Sequence, residues 1–130
     1  MELLHKELTD KIIKTFYDVY NELGYGFLEK VYQNSLYLEL RARGHQVEAQ
    51  KQIKVFYKGR EVGEYYADLV VDGKVILELK AYECLLQEHE NQLLNYLKAT
   101  NAEVGLLLNF GPKPEFRRKA FDNNRKNLPQ

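Results

Sequence analysis

Three residues in the middle of the chain have types and spacing that could do chemistry: Asp68, Glu78 and Lys80. The segment Lys74 to Tyr82 reads as a strand, so alternation puts Val75, Leu77, Leu79 and Ala81 on one face and Ile76, Glu78 and Lys80 on the other. A carboxylate and an ammonium then sit side by side on a rigid sheet. In the preceding segment Ala67, Leu69 and Val71 form the apolar set, which leaves Asp68 outward with Tyr66 and Val70. A two-residue Asp72-Gly73 turn would pair Asp68 with Leu77 and throw the two acids onto opposite faces. A three-residue loop, Val71-Asp72-Gly73, with Gly73 left-handed in a bulge, pairs Asp68 with Ile76 and keeps the acids together. The bulged hairpin is the expectation.

Neighbouring carboxylates repel, and a hard divalent cation such as Mg²⁺ or Mn²⁺ would relieve the repulsion while polarising a phosphate. Lys80 beside it would orient the attacking water or neutralise charge growing on the phosphorane. On spacing alone, a solvated Glu78-Lys80 pair on an exposed sheet face is the commoner arrangement.

The elements that must position these groups follow from periodicity. Leu4, Leu8, Ile12, Phe16, Tyr20 and Leu23 recur at helical steps, and Gly24-Tyr25-Gly26 ends that helix. A second helix is predicted from Phe27 to Arg43, with Val31, Ser35, Leu36 and Leu40 inward and Gly44 closing it. Strands are predicted at Gln46 to Tyr57, Glu61 to Val71 and Lys74 to Tyr82, broken at Lys58-Gly59-Arg60 and Asp72-Gly73. Leu86 to Ala99 returns to helical spacing, and the continuous apolar run Val104 to Phe110 predicts a central strand buried on both faces. After Gly111-Pro112-Lys113-Pro114, the stretch Glu115 to Phe121 fits an edge strand or a short helix.

A chain of 130 residues suits one compact α/β domain with a core of its own. Its 19 basic and 19 acidic side chains cancel, so no whole-molecule field steers it toward nucleic acid or an anionic membrane, and any such contact must be local. Arg117, Arg118, Lys119, Arg125 and Lys126 form the one basic cluster, read equally as a solvated tail or a phosphate contact. Cys84 is the single cysteine, expected to be a partly buried inert thiol. The first residues lack the apolar run of a signal peptide or membrane helix, which suggests a soluble cytoplasmic protein without a membrane role.

Asp68 followed on the next strand by Glu78-Leu79-Lys80 resembles the D...(D/E)xK signature of the PD-(D/E)XK nuclease superfamily. The α-β-β-β-α-β order, preceded by an extra helix, is similar to that restriction-endonuclease-like core. Gly26-Phe27-Leu28-Glu29-Lys30-Val31-Tyr32 matches the pattern that names the GxxExxY family, and Gln92-Leu93-Leu94-Asn95-Tyr96 resembles the QxxxY motif of RecB-type exonucleases. The resemblance implies that Glu29, Asp68 and Glu78, with the Leu79 carbonyl, hold Mg²⁺ or Mn²⁺ while Lys80 serves the water. It also implies that Gln92 and Tyr96 orient the site or contact DNA or RNA. Tyr32 would brace Glu29 or contact substrate, although a packed core tyrosine is the commoner case. His89 falls one turn before Gln92, where an exposed histidine is more usual than one lining a site. With no recognisable sequence-reading module, specificity would come from a partner protein or a homodimer. The rival reading is a nuclease-fold module that binds nucleic acid or protein without cutting it.

Overall fold

The computed structural model describes residues 3–126. Helix α1 (Lys6–Leu23) buries Ile12, Phe16 and Val19 along its apolar stripe, and α2 (Glu29–Ala42) buries Tyr32, Gln33, Leu36 and Leu40. Both start later than the apolar spacing suggests. His5 stands ahead of α1 in a left-handed conformation (φ 54°), and Leu28, ahead of α2, is extended. Val31 and Ser35 are only half-buried, because the inward stripe runs one position further round, through Tyr32 and Leu36.

Five strands follow in the spatial order β1-β2-β3-β4-β5: β1 (Val47–Tyr57), β2 (Arg60–Val71), β3 (Val75–Lys80), β4 (Val104–Phe110) and β5 (Pro114–Ala120). All neighbours are antiparallel except β3 and β4, which run parallel and are joined by α3 (Gln87–Lys98). A parallel pair needs such a crossover, and its helix lies on one face of the sheet. Leu69, Val71, Val75, Leu77, Leu79, Leu106 and Leu108 pack against α1 and α2, whereas Ala67, Val70, Ile76 and Leu107 pack with Leu93 and Leu97 of α3. Every residue of β4 is buried, as its unbroken apolar run predicts. The last stretch resolves as the edge strand β5.

The β2–β3 turn keeps three residues outside the ladder, but they are Asp72, Gly73 and Lys74, because Val71 pairs with Val75 and Val70 with Ile76. Continued by two residues, that register sets Asp68 opposite Glu78 rather than Ile76. Asp72 (φ 53°) and Gly73 (φ 65°) are both left-handed, and Lys74 N–H donates to the Val71 carbonyl at 2.9 Å. The shift preserves the shared acidic side, since both acids move by an even number of positions. Asp72 is pinned in turn by Gln46 N–H at 2.8 Å and His45 Nδ1 at 3.0 Å. Burial works to raise its pKa, but these hydrogen bonds hold it below the usual carboxylate value.

Other expectations fail for local reasons. Cys84 is exposed, because it lies in the loop between β3 and α3 and outside both clusters. The basic cluster is engaged with the rest of the fold. Lys119 reaches Glu90 at 2.8 Å and Arg117 meets Glu115 at 3.5 Å, Arg125 lies 4.4 Å over the Phe121 ring, and Lys126 donates to the carbonyls of Thr100 and Ala102. No helix among the described residues is long and apolar enough to cross a membrane.

Candidate active site

The ladder breaks where Asp68 sits. β1 and β2 pair at Ala49↔Leu69 and at Lys51↔Ala67, and between them Gln50 is left-handed (φ 52°). Side-chain alternation breaks there too, since Ala67 and Val70 join the same cluster on the α3 side. This twist is why the apolar set Ala67, Leu69 and Val71 does not hold as one face. It frees the Asp68 carboxylate to accept Leu79 N–H at 2.8 Å, beyond the last β2–β3 backbone pair. Gln50 Nε2 approaches the other Asp68 oxygen at 3.5 Å and donates to Gln33 Oε1 at 3.0 Å.

Glu78 faces Asp68 from β3, and its Oε1 is buried without a hydrogen-bond partner. Burial, then the neighbouring Asp68 charge, pushes its pKa up to about 9, with Lys80 pulling in the opposite direction. The solvated-face reading of Glu78 and Lys80 therefore fails: the acid is desolvated and the half-buried lysine acts on it. Lys80 Nζ also stands 6.0 Å from the centre of the Tyr82 ring.

Tyr96 of α3 stacks on Tyr65 of β2, ring centres 3.5 Å apart, and the pair borders the acids. Burial followed by the Glu78 charge raises both phenols above their ordinary range. The Tyr65 hydroxyl, like Glu78 Oε1, is a buried polar atom without a partner, and such atoms are uncommon enough to need a reason.

The remaining sequence candidates fall less centrally. Gln92 is exposed on α3, one turn before Tyr96 on the same side. Glu29 is exposed in the first turn of α2, one turn before Gln33, whose amide leads through Gln50 to Asp68. Among the described residues no group of three or more His, Cys, Asp or Glu is gathered so as to hold a metal ion. Tyr32 has no exposed surface to offer a substrate. Its hydroxyl donates to the Gly24 carbonyl at 2.6 Å and accepts Phe27 N–H at 3.2 Å, and its ring stacks on Phe110. With Gly26 at φ 116°, which an L side chain resists, Tyr32 clasps the loop that sets where α2 and Glu29 begin. His89 is buried, its Nδ1 accepting Leu86 N–H at 3.1 Å, so it closes the start of α3 and does not line the site.

Sequence reasoning missed Tyr65, Gln33, Gln50 and Asn109. Gln33 alone left a signal, four residues after Glu29 on an otherwise apolar helix side. Asn109, wholly buried beside Lys80 in the β3–β4 register, bonds both the N–H and the carbonyl of Tyr82, at 2.9 and 3.0 Å. A methyl on Gly111 would stand 2.3 Å from the Tyr82 carbonyl oxygen and 2.8 Å from Asn109 Nδ2. Gly111→Ala is therefore expected to destabilise the fold by about 3 kcal/mol in urea unfolding, and to depress any activity that depends on Lys80.

A family model of the PD-(D/E)XK nuclease superfamily matches residues 6–119, from α1 through to β5. The chain belongs to this superfamily. Asp68 on β2 and Glu78 and Lys80 on β3 all lie within the residues that match the PD-(D/E)XK model. Of the solved structures, the crystal structure of SSO0001 superposes with a TM-score of 0.58 at 19% identity, covering 73% of this chain. That likeness is one of fold, and this PD-(D/E)XK chain spans 52% of the SSO0001 chain. No curated protein matches it.

Proposed function

We propose that the chain hydrolyses nucleic-acid phosphodiester bonds with the help of a divalent cation, Mg²⁺ or Mn²⁺. The observation that carries this reading is the desolvated Glu78, held against Asp68 with one oxygen left unpartnered. Such a pair suits a small cation that keeps several waters and takes one or two carboxylates besides substrate phosphate. Divalent ions are in general use among PD-(D/E)XK nucleases.

Asp68 and Glu78 would hold the cation, joined by the Leu79 carbonyl and by Glu29 reaching over from the edge of α2. The bound cation would supply Lewis-acid polarisation of the phosphate and acidify its water. Lys80 orients the attacking water and offsets the charge growing on the phosphate oxygens. Asp68 is fixed by Leu79 N–H and Gln50, so the carboxylate is positioned before substrate arrives. Gln92 and Tyr96, on the α3 side, contact the nucleic-acid strand. The run Gly26 to Tyr32 supports placement in the GxxExxY family, with Tyr32 as the brace of the Glu29 loop.

A non-cutting binding module is the second reading, favoured by Glu29 standing exposed and outside any three-acid cluster among the described residues. The test is cleavage of mixed DNA and RNA substrates with Mg²⁺ or Mn²⁺ and with chelator. Cleavage that requires the cation supports hydrolysis; binding without turnover under either ion supports the second reading.

A further inference from the structure

β1 and β2 pair from Val47↔Val71 out to Tyr57↔Arg60, whereas β2 meets β3 only at Leu69, Val70 and Val71. Beyond Asp68 the hairpin leaves the sheet as a two-stranded ribbon. From Lys54 to Glu64 no residue is buried. The ribbon nevertheless carries Phe56, Tyr57, Val62 and Tyr66, which are 39%, 62%, 62% and 51% exposed. A two-stranded ribbon has little stability in water by itself, so apolar side chains displayed along one point to a surface it engages.

Its charges indicate what that surface is. Glu48 pairs with Lys51 and Glu61 with Lys54, while Glu64 accepts from the neutral Gln52 amide. That leaves Lys58 and Arg60 at the tip, with Lys58 Nζ 5.4 Å from the Tyr57 ring centre. A cationic tip on a slender two-stranded ribbon suits the phosphates that line a nucleic-acid groove. A second copy fits poorly, because Lys51 and Lys54 lie on the edge strand β1 along which another strand would pair. The ribbon is also rooted at the acids: Gln50 and Asp68 lie at its base, and Arg60 stands roughly 27 Å up the strand at about 3.4 Å per residue.

We propose that the β1–β2 ribbon is a DNA-binding arm, whose tip of Tyr57, Lys58 and Arg60 enters the major groove of a B-form duplex and grips its phosphates. The groove of B-DNA admits a two-stranded ribbon, whereas that of A-form RNA is too narrow. The proposal rests on the nuclease reading only for the path of the substrate back across Asp68 and Glu78.

Fluorescence anisotropy in chelator, over a salt series, tests it with a short DNA duplex, the single strand and an RNA duplex. The wild type should prefer the DNA duplex, and the Lys58→Glu/Arg60→Glu variant should bind it at least about tenfold more weakly. Its dependence of log affinity on log salt should be shallower by about two, one for each lost phosphate contact. Thermal unfolding checks the variant's fold, and Lys58→Gln/Arg60→Gln replaces it if the reversal fails to fold. Unchanged duplex binding by a folded tip variant, preference for single strand or RNA, no binding at all, or a dimer in sedimentation that the tip variant disperses would each overturn the arm. Duplex binding lost at the tip, in a wild type that never cleaves, would leave the arm standing and remove the nuclease reading.

Discussion

Lys80→Ala is expected to lower cation-dependent cleavage by about three orders of magnitude while leaving the fold intact, the range typical of losing a positioned proton-transfer or charge-stabilising group. The fold should survive because Lys80 belongs to neither apolar cluster, and its backbone stays paired with β4. Lys80 is also the positive charge that lowers Glu78, so its removal should let that carboxyl hold its proton more tightly and weaken cation binding at neutral pH. Single-turnover cleavage beside urea unfolding separates the outcomes. A folded Lys80→Ala protein that cuts as fast as wild type would remove the lysine from the mechanism.

The second large effect concerns pH. In the unfolded chain Glu78 titrates at its ordinary value of 4.5, and in the folded protein at about 9. Below the first value both states carry the proton and stability is unaffected. Between the two, the unfolded chain releases a proton that the folded one keeps, so folding stability falls as pH rises, by about 1.4 kcal/mol per unit. Above about 9 both states are ionised and the loss is constant. In chelator, Glu78→Gln should therefore be the more stable protein by about 4 kcal/mol at pH 7.5, and equal to wild type near pH 4. Divalent cation should restore wild-type stability at pH 7.5 and leave the glutamine variant unmoved, since a ligand stabilises only the state it binds. The measurement is urea unfolding from pH 4 to 9 with and without cation. A gap that does not change with pH would mean that Glu78 is solvated.

The shared side of Glu78 and Lys80 was legible because they lie in a strand with strong alternation. Leu77 and Leu79 fix the face of β3, and with it the side on which Glu78 and Lys80 emerge. The fold order was legible for the same reason, and the buried run Val104 to Phe110 identified the centre of the sheet. The exact register was not. Asp72 adopts a left-handed turn conformation that is uncommon for a residue other than glycine, and the His45 and Gln46 contacts that hold it come from elsewhere in the chain. The twist at Asp68 was hidden too, since it depends on Gln50, a residue with no pattern of its own. Tyr65 was missed because a tyrosine in a strand reads as ordinary sheet packing until Tyr96 is seen lying on it. Arg117, Lys119 and Lys126 looked like a basic patch because Glu90 and the carbonyls that occupy them are distant in sequence.

Calorimetric titration of Mg²⁺ and Mn²⁺ into the wild type and Asp68→Ala decides whether Asp68 and Glu78 form a cation site. A cation site there binds either ion in the wild type, with proton release near neutral pH from the acid pair, and loses that binding in the variant. Equal binding by the two proteins, or none by the wild type with or without nucleic acid, would contradict it.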